Sequence, residues 1–203
     1  MTRVIAGTAG GRRLAVPPGT TTRPTSDRAR EGLFAALLSE LGPLAGKAVL
    51  DLYAGSGAIG LEALSRGAER VLMVESDARA AAVIRANVAV VGMPGASVAV
   101  DRVERLLSRP PAGPGGYDVV LADPPYALSE AAVTRVLTLL EGGWLANEAL
   151  VVVERATRSG PLDWPPGYLP SKSRRYGEAT FWYGWHGSEA GSGQSGAASR
   201  SQA

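Results

Sequence analysis

Val49-Leu50-Asp51-Leu52-Tyr53-Ala54-Gly55-Ser56-Gly57-Ala58-Ile59-Gly60 runs from an apolar strand through a glycine-rich turn into the start of a helix. Gly55, Gly57 and Gly60 satisfy the G-x-G-x-x-G spacing, and Glu75 closes the next apolar run, followed by Ser76. Glycines at these positions let the backbone approach a ligand, and a carboxylate at that remove suits the two hydroxyls of a ribose. NAD(P) and S-adenosylmethionine share this pattern, and a tight strand-to-helix turn with no ligand shows the same spacing. Asp51 separates the readings. A carboxylate inside the strand suits the cationic amino group of a methionine moiety and sits poorly beside a pyrophosphate.

Working outward, apolar strand-like runs alternate with helical stretches. Strands are expected at Lys47–Tyr53, Arg70–Glu75, Ser97–Asp101, Tyr117–Asp123 and Leu150–Glu154, with helices at Gly55–Ser65, Asp77–Val91 and Ser129–Leu140. Buried parallel strands read as continuous apolar runs, and such alternation over about 110 residues predicts a doubly wound, mainly parallel α/β sheet. Glu178–Tyr183 and a strand near Leu169–Tyr176 complete it as an antiparallel hairpin, seven strands in all. Asp101 ends the third strand at the ligand-binding edge. It either receives an adenine amino group or caps the short segment Val103–Leu107.

Leu121-Ala122-Asp123-Pro124-Pro125-Tyr126 closes the fourth strand. Two prolines neither extend a strand nor enter a helix interior, so the backbone is held stiff. Asp123 and the Pro124 carbonyl become two fixed acceptors, with Tyr126 as an adjacent π-face. That arrangement suits a planar exocyclic amine, whose two N–H groups it orients while the ring stacks on Tyr126. It is positioning and electrostatics rather than nucleophilic catalysis.

Composition narrows the chemistry. The 203 residues include no cysteine and one histidine, His186, which excludes disulfides, thiolate zinc sites and Cys nucleophiles and argues against a Ser–His–Asp triad or a metal centre. No apolar run approaches the ~20 residues of a membrane span and the N-terminus lacks a signal-peptide core, so a cytoplasmic protein is expected. The net charge is +2, yet residues 1–30 hold Arg3, Arg12, Arg13, Arg23, Arg28 and Arg30 against Asp27 alone. A basic arm on a mildly acidic body suggests a polyanionic partner.

The arm itself reads as a hairpin, with Arg3–Ala6 and Arg12–Val16 as strands and Pro17-Pro18-Gly19 as its stop. Thr20–Thr25 is a polar linker, and Ser26 and Asp27 cap a helix through about Leu41. Three units are expected: a basic hairpin arm at 1–25, a catalytic domain at 26–186 and an unstructured Gly/Ser-rich tail at 187–203. His186 is placed with that tail, and deletion of residues 1–16 is expected to leave the body folded.

Asp51-Leu52-Tyr53-Ala54-Gly55-Ser56-Gly57 together with Asp123-Pro124-Pro125-Tyr126 resembles the Rossmann-type S-adenosylmethionine-dependent amino-methyltransferases. Arg3-Val4-Ile5-Ala6-Gly7, Gly10-Gly11-Arg12-Arg13-Leu14 and Arg23-Pro24-Thr25-Ser26-Asp27-Arg28-Ala29-Arg30-Glu31 resemble the RsmD family of 16S rRNA guanine-N2 methyltransferases, over about residues 2–183. The resemblance implies a Rossmann-like methyltransferase sheet with an N-terminal hairpin extension. It also implies methyl transfer from S-adenosylmethionine to one guanine N2 in the 30S subunit, without a metal. Asp51, Tyr53, Ala54, Gly55, Ser56, Gly57, Glu75, Ser76 and Asp101 would contact the cofactor, with Ala54 and Ser56 lending backbone N–H groups. Asp123, Pro124, Pro125 and Tyr126 would hold a guanine flipped from its stack.

Arg3, Arg12, Arg13, Arg23 and Arg28 would neutralise phosphates, with Lys172, Arg174 and Arg175 as a second patch. Arg28 and Arg30 also have a quieter reading, as support for the helix or as side chains reaching the cofactor pocket. A DNA adenine-N6 methyltransferase shares D-P-P-Y but needs a larger target-reading region than this chain offers. Protein-glutamine methyltransferases favour Asn before Pro-Pro. An NAD(P)-binding protein leaves Asp51 and the arm unexplained, and a non-catalytic RNA-binding protein leaves an intact site without a use. A monomer is expected.

Overall fold

The computed structural model of the chain describes residues 1–18, 27–113 and 115–187. The linker at 20–25 with Arg23, the Ser26 cap and the tail beyond Gly187 lie outside the described residues. The elements are β1 (Thr2–Arg3), β2 (Arg13–Leu14), α1 (Asp27–Leu41), β3 (Ala48–Leu52), α2 (Ala58–Ser65), β4 (Arg70–Glu75), α3 (Ala78–Val91), β5 (Ala96–Val100), α4 (Val103–Leu107), β6 (Tyr117–Ala122), α5 (Glu130–Leu140), β7 (Leu145–Ala156), β8 (Tyr168–Tyr176) and β9 (Ala179–His186). Among the described residues no helix is long and apolar enough to cross a membrane.

Seven strands form one sheet in the order β5-β4-β3-β6-β7-β9-β8, and β1 and β2 form a separate two-stranded ribbon. The first five strands of that order run parallel, while β9 is antiparallel to both β7 and β8. All five residues of β3 are buried, as a central strand covered on both faces requires. On one face Leu33, Phe34, Leu61 and Ile84 of α1, α2 and α3 pack against Val49, Val71 and Val119. On the other, Val133, Leu137 and Leu140 of α5 pack with Val103 of α4 against Leu50, Val120 and Val151. Phe34 is fully buried and carries the Arg66 guanidinium over its ring at 4.9 Å, so its truncation to Ala costs about 3–5 kcal/mol.

The chain proceeds outward from β3 to β4 and β5, then returns so that β6 takes the opposite flank of β3. Strand order therefore reverses between β3 and β6. Open α/β sheets bind ligands in the crevice outside the carboxyl ends of their strands at such a switch point. Tyr53 follows β3 and Asp123 follows β6, which brings the two sequence motifs to one edge.

The hairpin arm is shorter in its strands than the sequence suggests, and it is built into the body. Val4, Ala9 and Leu14 are buried in the α1–α2–α3 side of the core. The fully buried Glu62 of α2 accepts hydrogen bonds from Ile5 N–H at 2.6 Å and Ala6 N–H at 3.0 Å. Ser65 of the same helix accepts from Ala9 N–H at 2.9 Å and donates to the Ala6 carbonyl at 2.5 Å. A boundary at residue 25 thus divides chain segments and not separate cores, because an isolated two-stranded ribbon is marginal and gains its stability by docking. Removing residues 1–16 would uncover apolar core and strand the Glu62 carboxylate, contrary to the expectation of an intact body. His186 also moves out of the tail. It ends β9, paired opposite Tyr168, with the two rings 5.7 Å apart edge to face.

Candidate active site

A cleft of about 330 Å³ opens at the carboxyl edge, within the size of small-molecule sites. Its walls include Asp51, Tyr53, Ala54, Gly55 and Ser56 from the β3–α2 turn, Glu75, Ser76 and Asp77 after β4, and Asp123, Pro124, Pro125 and Tyr126 after β6. Asp51, Tyr53, Ala54, Gly55 and Ser56 therefore share one cavity with the D-P-P-Y residues, whereas Gly57 is buried in the turn and does not line it.

Asp51 is 2% exposed, and its Oδ2 accepts from the Gly60 N–H at 2.9 Å. Burial pushes its carboxyl up to about 7, opposed by that hydrogen bond and reinforced by the negative charge of Glu75. A buried carboxylic group aimed at a cleft and poised near neutrality is completed by a cation. Gly60 is required by close approach: a Cβ there would lie 2.8 Å from Met73 Cγ, 2.9 Å from Val71 and 3.0 Å from Asp51 Oδ2. Gly57, at φ +74°, turns the chain into α2 in a conformation that L side chains rarely adopt. Tyr53 also has positive φ, at 62°, and its ring borders both the cleft and the apolar space beneath Pro124.

Glu75 ends β4 with its two oxygens divided. Oε2 accepts from Gly55 N–H at 2.9 Å, and Oε1 from Asp77 N–H at 2.8 Å and the Ser76 hydroxyl at 3.5 Å, which fixes the carboxylate at the cleft wall. Ala54 differs from expectation. Its N–H donates to the Val74 carbonyl at 3.0 Å, continuing the β3–β4 ladder, so that amide is committed to the sheet. Ser56 offers its carbonyl to the buried Asn87 side chain at 2.9 Å. Asp101 is not among the residues lining the cleft; its carboxylate is held by Arg102 N–H at 2.8 Å, Arg105 Nε at 2.6 Å and an Arg109 amino group at 3.2 Å. These partners occupy the carboxylate just before α4, whose N-cap is Arg102 with no side-chain cap hydrogen bond, so Asp101 is paired with arginines and not a helix cap.

After β6, Asp123 N–H reaches back to the Leu52 carbonyl at 3.4 Å, tying the D-P-P-Y turn to the end of β3. The Tyr126 ring is 46% exposed, so its face is open to a planar partner. Partial burial raises its hydroxyl's pKa, with the negative charges of Glu154, Asp123 and Glu178 adding to the effect.

The structure adds wall residues that sequence reasoning did not assign. Thr2, Val16, Pro17 and Pro18 of the arm line the same cleft; Arg30 lines it too, as the second reading given for it from sequence has it. Arg30 is 1% exposed and donates to the Arg3 carbonyl at 2.6 Å and Asp27 Oδ1 at 3.0 Å. Burial lowers its pKa from the ordinary arginine value, against the opposing pull of Glu62 and Asp27. Pro17-Pro18 was legible as a strand stop, but nothing local marks it as a cavity wall.

The basic side chains divide into two groups. Arg3, Arg13, Arg28, Arg174 and Arg175 are exposed, Arg3 pairing with Asp27 at 3.5 Å and Arg175 Nε donating to the Gly177 carbonyl at 2.9 Å. Arg12 is exposed as well, but its guanidinium is committed to the end of α3, donating to the carbonyls of Val90 and Val91. Lys172 pairs with Glu40 and lies over the Tyr183 ring at 5.3 Å.

Comparisons with known proteins agree with this geometry. The family described as Conserved hypothetical protein 95 matches residues 2–185. The chain is 36% identical over 168 residues to "Ribosomal RNA small subunit methyltransferase D" of Escherichia coli, covering 80% of each chain. It is 36% identical over 155 residues to "Putative rRNA methyltransferase YlbH" of Bacillus subtilis, covering 75% of this chain and 81% of the relative. Among solved structures, "Putative methyltransferase yhhF" from Escherichia coli superposes with a TM-score of 0.78 at 30% identity, over 93% of this chain and 99% of the other. A match along almost the whole described chain makes this protein a member of the RsmD family of methyltransferases.

Proposed function

We propose that this protein transfers a methyl group from S-adenosylmethionine to the exocyclic N2 amine of one guanine in bacterial 16S rRNA, within an assembled or partly assembled 30S subunit. The observation that carries the reading is the single cleft joining Asp51 and Glu75 to Asp123 and Tyr126. The names of the relatives, rRNA methyltransferases of two bacteria, support the substrate class. When bound, S-adenosylmethionine supplies an electrophilic methyl group on a sulfonium centre.

The residues present fit that cofactor. Asp51, buried and already anchored by Gly60, receives the amino group of the methionine end. Glu75, fixed by Gly55 and Asp77 N–H at the cleft wall, would receive the ribose hydroxyls. After β6, Asp123 and the Pro124 carbonyl accept the two N–H groups of the target amine, and Tyr126 stacks on its base. Asp123 stabilises positive charge developing on the amine nitrogen; it need not be a strong base, because the methylated cationic amine is itself acidic. Exposed arginines of the arm and of β8 hold the phosphates, with RNA entering from the rim. The protein acts as a monomer in the cytoplasm.

Tritium transfer from labelled S-adenosylmethionine tests this. Substrates are 30S particles lacking the modification, naked 16S rRNA and duplex DNA, with nuclease mapping of the product. Label at one guanine N2 in the particles is the expected result. Label on DNA adenine, or none on any nucleic acid, overturns it.

A further inference from the structure

We propose that Asn87 is a positioning residue that couples the arm to the cofactor loop, so that RNA held on the arm tightens cofactor binding and cofactor tightens RNA binding. The inference rests on the proposed function, in which the arm takes RNA and the loop takes S-adenosylmethionine.

Asn87 lies on α3, 1% exposed, between two segments that are far apart in the chain. Its Oδ1 accepts from Ala15 N–H at 2.8 Å, and its Nδ2 donates to the Ala15 carbonyl at 2.9 Å. The same Nδ2 donates its second hydrogen to the Ser56 carbonyl at 2.9 Å. One side-chain amide thus holds the exit of the arm with two hydrogen bonds and the centre of the glycine loop with a third. Neither neighbour is incidental to the cleft. Ala15 leads directly into Val16, Pro17 and Pro18, which line it, and Ser56 lines it from the loop side.

The amide is planar, so its three bonds share one orientation. If the arm lifts, Ala15 leaves, the amide is free to turn about its side-chain torsions, and the half-buried Ser56 carbonyl loses a fixed donor. Loss of that donor favours a rearranged loop. RNA that clamps the arm in its docked position therefore selects the loop geometry the cofactor needs. Linkage makes the effect reciprocal, since a coupling free energy acts equally on both ligands. Glu62 and Ser65 also dock the arm, but among the described residues their side chains bond arm backbone groups and Arg66 and not the glycine loop.

The test measures binding of labelled S-adenosylhomocysteine by equilibrium dialysis, with and without saturating 30S particles that lack the modification. Wild-type protein is expected to bind it at least about 5-fold tighter with particles present. Asn87→Leu, which removes all three bonds, and Asn87→Asp, which keeps only the acceptor, should still bind each ligand alone while the ratio falls to within about 2-fold. Asn87→Asp carries the test if Asn87→Leu does not fold. Ser65→Ala, which weakens docking without touching the loop, should lower thermal stability and keep the coupling. Variants of Asn87 that retain the full ratio, or wild type that binds both ligands with no ratio, overturn the coupling. Failure of wild type to bind either ligand overturns the proposed function instead.

Discussion

The Gly60 amide donates to Asp51 Oδ2 at 2.9 Å, nine residues away along the chain, and so joins the start of α2 to the only carboxyl group inside β3. The bond favours the ionised carboxylate, burial favours the protonated form, and burial wins, leaving Asp51 at about 7 against an ordinary 3.8. Its protonation is therefore a measurable property of the cleft.

Because the folded-state pKa of Asp51 is raised, its protonated form contributes stability that is fully present below the unfolded value and lost as pH rises through about 7. The ligand-free protein should unfold at lower temperature at pH 8 than at pH 6, and Asp51→Asn should flatten that part of the profile. Binding has the opposite sign, since a cationic amine needs the carboxylate. S-adenosylhomocysteine affinity should fall about tenfold per pH unit below the transition, and calorimetry in two buffers should show proton release on binding near pH 6.

Asp123 and Asp51 share the cleft but belong to different strand ends, Asp51 to β3 and Asp123 to the turn after β6. Asp123→Ala should lower kcat by about 10²–10³-fold through loss of charge stabilisation, with cofactor affinity within severalfold of wild type. Single-turnover methylation and dialysis binding separate the two. An equal loss of both would place Asp123 with the cofactor.

Glu62 is fully buried and serves Ile5 N–H, Ala6 N–H and Arg66 Nε, the last at 2.7 Å. Glu62→Ala leaves two amides and a guanidinium without their acceptor, a loss of about 3–5 kcal/mol. For a domain of this size that lowers Tm by roughly 6–20 °C in a thermal melt. A shift under 3 °C would mean that the arm docks by apolar contact alone.

The arginines should divide in salt titrations of RNA binding. Arg13→Ala, at an exposed position, should reduce the slope of log affinity against log salt by about 0.7 for a single-stranded target. Arg12→Ala should leave the slope nearly unchanged and lower Tm, because its guanidinium holds the Val90 and Val91 carbonyls at the end of α3. Matching slopes for the two variants would refute the division.

Much of the cleft could be read along the chain, because the signals are local. The glycine spacing, Asp51 four residues before Gly55 and the stiff turn Asp123-Pro124-Pro125-Tyr126 each depend on residues within a few positions of one another. Strand alternation then brings the two motifs to the switch point between β3 and β6. Asp77 and Ser129, the first residues of two expected helices, stand as their N-caps, each accepting a backbone N–H.

Residue types alone thus determined a doubly wound sheet, a ligand edge and the chemical character of both motifs at the cleft. Tertiary structure decided which polar groups remain for that chemistry. Arg30 and Arg12 look like their exposed neighbours in sequence, yet one is buried in the cleft wall and the other caps a helix. Asp101 sits at the right strand end but is held by Arg105 and Arg109. Asn87 meets Ala15 across 72 residues, and Glu62 meets Ile5 across 57. Burial and partner choice are set by contacts between distant segments, and a charge carries no mark in the chain of whether it will face solvent, a ligand or a carbonyl brought to it by the fold.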